Sequence, residues 1–270
     1  MRSAVTLVRL AAHLPPKRTG YYSHHSLNIA SFLSTMSNWP LRPQALTCAG
    51  KTDGGGAQIH AAMSVIAFCH ATGYRYAHTP LAEVAHTSGP DEVAAWENAF
   101  NLGQGEICSA DVAYPIVPVA AYMRRPQLWF HKVVVAVEYL HPYTDRHTDV
   151  FDPLIGEFRE RFAATSEHPA DGRLTIAVHI RRGDVNALTS AARYTGNAIL
   201  ADRIRRLQQS CREAQLPFRT VVHSQGRLDD FRELAELGCE FRLDAKPLDS
   251  LSELVAADVL VMAKSSYSYV

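Results

Sequence analysis

Two adjacent arginines directly behind an apolar run are the residues of this chain best suited to chemistry. His179-Ile180-Arg181-Arg182-Gly183-Asp184 follows the run that opens at Leu174. A guanidinium offers a planar fork of donors that matches phosphate oxygens in pairs, and it keeps its charge in a desolvated cleft better than a lysine does. Gly183 lets the backbone turn tightly, and Asp184 can pair with one arginine and hold it in place. By local chemistry the loop binds an anion. A buried Arg-Asp pair that only ties two domains together is the alternative these residues leave open.

The elements around the loop read as an alternation. Leu174 to Ile180, Phe218 to His223, Glu240 to Leu243 and Asp258 to Met262 have the apolar character of strands, and Asn197 to Glu213, Leu228 to Leu237 and Leu248 to Ala257 that of helices. Such a pattern predicts a parallel sheet with helices on both faces. Ligands of such sheets bind beyond the carboxyl ends of the strands, which selects the loops opening at Arg181, Ser224 and Lys264. Upstream, a short strand Ala45 to Cys48 runs into Asp53-Gly54-Gly55-Gly56-Ala57-Gln58, and a helix Ile59 to His70 follows. Tyr74 to His78 reads as a second strand, Pro90-Asp91-Glu92 as a helix start, Lys132 to Tyr139 as a buried strand and Phe151 to Phe162 as a surface helix. Polarity rises and periodicity stops at Ser166 to Arg173, the best linker candidate. The expected organisation is a leader over 1–44, an N-terminal α/β domain over 45–165 and a C-terminal Rossmann-like domain over 166–270.

A chain of 270 residues, 47% hydrophobic, has enough apolar material for two such cores. With 27 basic and 27 acidic residues its formal charge is zero, so no global field draws it to nucleic acid or to an anionic membrane, and an anion site must be local. Charge is uneven, however. No Asp or Glu precedes Asp53, while Arg2, Arg9, Lys17, Arg18, Arg42 and Lys51 stand among serines. That composition fits an organellar transit segment and equally a disordered basic leader or a mistaken start. The apolar stretch Ala4 to Leu14 is broken by Arg9 and His13 and falls short of the roughly 20 residues of a bilayer span. Membrane association is not evident.

The five cysteines, Cys48, Cys69, Cys108, Cys211 and Cys239, are scattered and odd in number, which favours buried free thiols over a disulfide framework. None of the thirteen histidines, His24-His25 and the pair His141 and His147 included, has a partner at metal-ligand spacing, and they read as solvated surface. Gly54-Gly55-Gly56 lacks Gly-x-Gly-x-x-Gly spacing, so it is a turn near a ligand or a purely structural one. Tyr267 and Tyr269 suit core packing or stacking on a ligand.

The segment His179 to Asp184 resembles the His-x-Arg-Arg-x-Asp signature of the α1,2-, α1,6- and protein O-fucosyltransferases. Three further segments agree in order. Gly56-Ala57-Gln58-Ile59-His60 resembles the Gly-Cys-Gln-Leu-His of the α1,6 branch, with Gly55 in the same glycine-rich turn. Val221-Val222-His223-Ser224-Gln225 sits where that branch has a strand ending in Thr-Asp, and Ala257 to Ser266 resembles its last strand and serine loop.

The resemblance implies a GT-B-like α/β fold of two Rossmann-like domains with parallel sheets, and transfer of fucose from GDP-fucose to a glycan or glycoprotein acceptor. Arg181 and Arg182 would contact the diphosphate, Asp184 would orient them, Ser265 and Ser266 would donate to phosphate oxygens, and Asp258 would serve the nucleoside. Ser224 would stand at the donor, with His179 beside the motif as support or ligand. No cofactor or metal is implied, since an arginine pair takes the metal's part and there is no Asp-x-Asp. The compartment implied is the Golgi or secretory lumen. The α1,6 branch has Lys and soon a Glu after its arginines. Here Val185 follows and no Glu appears until Glu213, which leaves Asp184 as fallback general base and the linkage open. The family also continues with a covering helix where this sequence stops at Val270, so the C-terminal domain is expected to be incomplete and a binding-only homologue is the alternative.

Overall fold

A computed structural model describes residues 24–162 and 171–270. The chain opens with helix α1 (His24–Met36), strand β1 (Ala45–Cys48), helix α2 (Gly55–Thr72), strand β2 (Ala77–His78), helix α3 (Pro90–Phe100) and the short strands β3 (Ile107–Cys108) and β4 (Ile116–Pro118). Helix α4 (Val119–Arg124), strand β5 (Val134–Val137), the single turn α5 (His141–Thr144) and helix α6 (Ile155–Arg161) complete this half. The second half alternates strictly: β6 (Leu174–His179), α7 (Asn197–Glu213), β7 (Phe218–Ser224), α8 (Arg232–Ala235), β8 (Glu240–Leu243), α9 (Pro247–Val255) and β9 (Val259–Val261).

Every strand pairing is parallel. In the first half β1 pairs with β5 and β5 with β4, while β2 and β3 form a separate ribbon joined to β1 through the bridge between Leu46 and Tyr76. The valine run explains the central place of β5: Val133, Val134, Val135 and Val137 are all buried, as a parallel strand covered on both faces requires. In the second half the order is β8-β7-β6-β9. The protein is therefore α/β with parallel sheets.

Alternation along β6 decides what each face meets. Ile176, Val178 and Ile180 pack with Leu200, Ile204, Phe231 and Leu234 from α7, α8 and the turn before α8. Thr175 and Ala177 are buried on the other face. A larger core gathers α1, α2, α3, β1 and β5, and takes in Leu251 of α9 with Tyr267 and Val270 packed against it. The two halves thus share apolar contacts.

Three expectations change. Helix α1 falls within the leader expected over 1–44 and belongs instead to the core: Leu33 and Met36 are buried and Ile29 and Phe32 pack beside them at helical spacing. Burying a leucine of this kind stabilises by roughly 1.5–3 kcal/mol. Residues 1–23 and 163–170 lie outside the described residues, and with them the stretch Ala4 to Leu14 and most of the proposed linker. The surface helix expected over Phe151 to Phe162 begins instead as a 3-10 segment, Thr148–Leu154, that contains Pro153, whose missing N–H cannot continue an α-helix. The helix expected over Leu228 to Leu237 is likewise split into a 3-10 turn, Leu228–Phe231, and α8.

Candidate functional site

Strand order reverses beside β6, where chain-consecutive β7 lies on one side and β9, the last strand, on the other. Loops leaving two such strands diverge and open a crevice at their carboxyl ends. Arg181 leaves from β6 and Ser265 from beyond β9. Arg181 spans the gap, donating from Nη1 to Ser265 Oγ at 3.2 Å. The same guanidinium grips Asp184 through Nε at 3.1 Å and Nη2 at 2.7 Å, so its plane is fixed. Of its five N–H donors three are used, which leaves two for a ligand. The side chain is 31% exposed. Hydrogen bonding from Arg181 holds the Asp184 carboxyl below its usual range, ahead of a smaller opposing effect of burial.

Gly183 makes the loop possible. Its φ is +71°, and a Cβ there would stand 2.4 Å from Gln225 Oε1. Ser224, at the end of β7, donates to the Ile180 carbonyl at 2.8 Å and so ties the two strand ends together. Lys264 donates to the Ala192 carbonyl at 3.2 Å and pins the segment before the serine loop. Ser266 is half-buried, and its carbonyl accepts from the Tyr269 N–H at 3.0 Å.

Arg182, sequence neighbour of Arg181, faces the other way. It donates to the Thr195 carbonyl at 2.9 Å, to Asn197 Oδ1 at 2.8 Å and to the Arg181 carbonyl at 3.0 Å. Its guanidinium lies 4.4 Å from the Tyr194 ring centroid and 5.9 Å from that of Phe231. Burial lowers its pKa from the ordinary value. The alternation that sends Ile180 toward α7 sends Arg182 there as well, so this arginine braces the loop from behind while Arg181 remains at the crevice.

His179 supports the same crevice. Its Nδ1 is hydrogen-bonded to Ser268 Oγ and its ring centroid is 4.9 Å from that of Tyr267. Burial, then His223 and Arg181, pushes its pKa down to about 4. Tyr267 donates to the Pro247 carbonyl, and burial raises its phenol above the ordinary value. Ser265 and Ser268 are both buried. The turn that follows β9 is thus a packed wall of the crevice.

The glycine-rich stretch expected as a turn is the first turn of α2. Gly55 and Gly56 are helical, capped by Gly54 in extended conformation. The glycines serve close approach: a Cβ on Gly55 would fall 2.4 Å from the Trp96 ring, and one on Gly56 would fall 2.7 Å from Tyr267 Cα. The helix start therefore abuts the serine turn. Buried Gln58 donates to the carbonyls of Asp53 and Glu83 at 2.7 Å each, and His60 stacks on His141 at 4.1 Å.

Asp258 is a second correction. Its carboxylate accepts from the Thr175 N–H at 2.8 Å, at the amino end of β6. Thr175 and Arg181 are six residues apart along a strand, about 20 Å at 3.3 Å per residue, so Asp258 cannot share a ligand with the loop. The histidines correct a third expectation, since His78 and His223 are buried rather than solvated and His60, His141 and His179 are half-buried. His24 and His25 lie where side chains are not described. All five cysteines are free, as their spacing suggested, but only Cys69 is buried and the other four are half-buried.

Sequence reasoning also missed a polar group at the carboxyl ends of β1 and β2, where His78 meets Glu97 at 2.6 Å. These residues come from separate elements, and nothing in their local sequence signals the meeting. Among the described residues, no cluster of three or more His, Cys, Asp or Glu is arranged to hold a metal ion, and no helix is long and apolar enough to cross a membrane. No protein-family model matches the chain, and no curated protein is significantly similar to it.

Proposed function

We propose that this chain is a glycosyltransferase that binds the diphosphate of GDP-fucose in the crevice between β6 and β9 and transfers fucose to a glycan or glycoprotein acceptor. The two parallel-sheet halves correspond in this reading to the two Rossmann-like domains of a GT-B-like enzyme. One observation carries it: Arg181, immobilised by Asp184 and bridged to Ser265, keeps two N–H donors at the switch point of a parallel sheet. When GDP departs, negative charge grows on its β-phosphate, and a guanidinium already fixed by Asp184 stabilises that charge without reorganising. Ser265 stands beside it as a further hydroxyl donor. No divalent metal takes part in this scheme.

A binding-only homologue is the second reading. Arg182 favours it, because its bonds to Thr195 and Asn197 leave a single arginine at the crevice where the family resemblance implies a pair. Asp184 also has both carboxylate oxygens engaged by Arg181, which makes it a poor proton acceptor.

Thermal unfolding with GDP, GDP-fucose and UDP tests the donor site. A hundredfold excess over Kd stabilises a folded protein by about 2.7 kcal/mol, a rise in Tm of roughly 5–10 °C for a chain of this size. GDP and GDP-fucose are expected to give this rise, UDP much less, and Arg181→Ala is expected to abolish it. The donor reading is abandoned if no guanine nucleotide stabilises the protein, or if Arg181→Ala keeps the full shift. Transfer of labelled fucose to an acceptor panel separates the two readings: binding without transfer selects the second.

A further inference from the structure

The first half of the molecule contains a cavity of about 80 Å³, partly open to solvent, at the carboxyl ends of β1 and β2. It is several times the roughly 10–15 Å³ that one water requires. Its lining is mixed, with apolar Ile59, Ala62, Leu81 and Phe100 and polar Lys51, Gln58, His78, Thr79 and Glu97.

The polar lining residues are held by hydrogen bonds. Glu97 pairs with His78 Nε2 at 2.6 Å through Oε1 and accepts from the Leu81 N–H at 3.0 Å through Oε2. His78 Nδ1 lies 3.3 Å from the Tyr76 hydroxyl. Thr79 Oγ1 joins a chain of hydroxyls, 2.6 Å from Thr47 Oγ1 and 2.7 Å from Ser109 Oγ. Gly103 packs so closely that a Cβ would fall 2.6 Å from the His78 ring. Burial alone would raise the Glu97 pKa, but the bonds from His78 and Leu81 prevail and keep it below the ordinary value.

The charged groups of the cavity are already engaged. Lys51 is paired with Asp53 at 3.0 Å, and both carboxylate oxygens of Glu97 are hydrogen-bonded, to His78 Nε2 and the Leu81 N–H. An anion therefore finds no uncompensated cation, and a cation finds no free carboxylate. A lining that mixes hydroxyl, amide and paired charged groups with aromatic and aliphatic side chains suits a molecule that carries both hydroxyls and C–H faces.

We propose that this cavity is a binding site for a neutral polyhydroxylated ligand, a sugar ring or polyol, with its hydroxyls toward Thr79, Gln58 and Lys51 and its C–H groups toward Phe100 and Leu81. The inference rests on the cavity alone and not on the nucleotide-sugar reading of the Arg181 crevice.

Saturation-transfer difference NMR on the full chain tests it, with L-fucose, D-mannose, N-acetylglucosamine and myo-inositol as probes and inorganic phosphate as the anionic competitor. At least one neutral probe is expected to bind with Kd on the order of 1 mM, as suits a small ligand in a small site. Ala62→Leu fills the cavity and should abolish the signal. Thr79→Val removes the hydroxyl at nearly constant volume and should weaken binding about tenfold. Arg181→Ala should change neither, even where it abolishes the GDP response, so the two sites fail or survive separately. The proposal is overturned if no neutral probe shows transfer, if phosphate displaces the probe, or if a cooperatively melting Ala62→Leu binds as before. Should Ala62→Leu fail to fold, unchanged binding by Thr79→Val overturns it.

Discussion

His179 makes acid a specific threat to this fold. Its imidazole sits between Ser268 and Tyr267, near His223 and Arg181, and its pKa falls from 6.5 to about 4, chiefly through burial. Because the folded value lies below the unfolded one, the native state takes up fewer protons between the two, and stability is lost as pH falls through that window. Going from about pH 7.5 to about pH 5, the unfolded ring becomes protonated and the native one does not, which removes about 2 kcal/mol. Domains of ordinary size are stable by only about 5–15 kcal/mol, so this loss is measurable. Urea denaturation followed by tryptophan fluorescence at the two pH values should show it, and His179→Gln should reduce the difference by about 2 kcal/mol. His60, His141 and His223 also have lowered pKa values, with burial the leading cause in each, so part of the acid sensitivity will persist in that variant. An identical pH dependence in wild type and His179→Gln would refute the assignment.

Two glycines give sharper tests of how the crevice is built. Gly56→Ala sets a methyl against Tyr267 backbone, which cannot yield as a side chain end can; overpacking of about 1–3 kcal/mol should outweigh a helix-propensity gain of at most about 1 kcal/mol, lowering Tm and weakening the GDP response. Gly54→Ala, with nothing within 4 Å of its Cβ, is the control and should leave both close to wild type. Gly183→Ala meets only the movable end of Gln225, so its cost comes from the left-handed backbone, about 1–2 kcal/mol by thermal unfolding; adding Gln225→Ala should recover little of it.

Alternation of apolar segments with helical ones was enough to read the second half of the molecule. β6, α7, β7 and β8 lie where the pattern places them: the central strand β6 leaves a buried apolar run, while the edge strand β8, with Glu240 exposed, is placed by its position in the alternation. Helix α1 lies in the acid-free basic stretch that reads as a leader, although Ile29, Phe32, Leu33 and Met36 carry the spacing of a helix face. The position of Arg181 at the carboxyl end of a parallel strand, where ligands of such sheets bind, was likewise legible from the apolar run that precedes it.

Tertiary structure decided the rest. Adjacent arginines look equivalent in sequence, yet successive residues at a strand end face opposite sides, so Arg181 stays at the crevice and Arg182 is drawn into Thr195, Asn197 and Tyr194. Asp258 precedes the serine loop by only a few residues, but β9 runs between them and delivers the two to opposite ends of the sheet. The cavity beside His78 and Glu97 could not be read at all, since its walls come from α2, α3 and the ends of two strands. Sequence supplies the residue types and their local periodicity. Which side chains converge on one point depends on strand order and on the face each residue takes, and both are properties of the folded sheet.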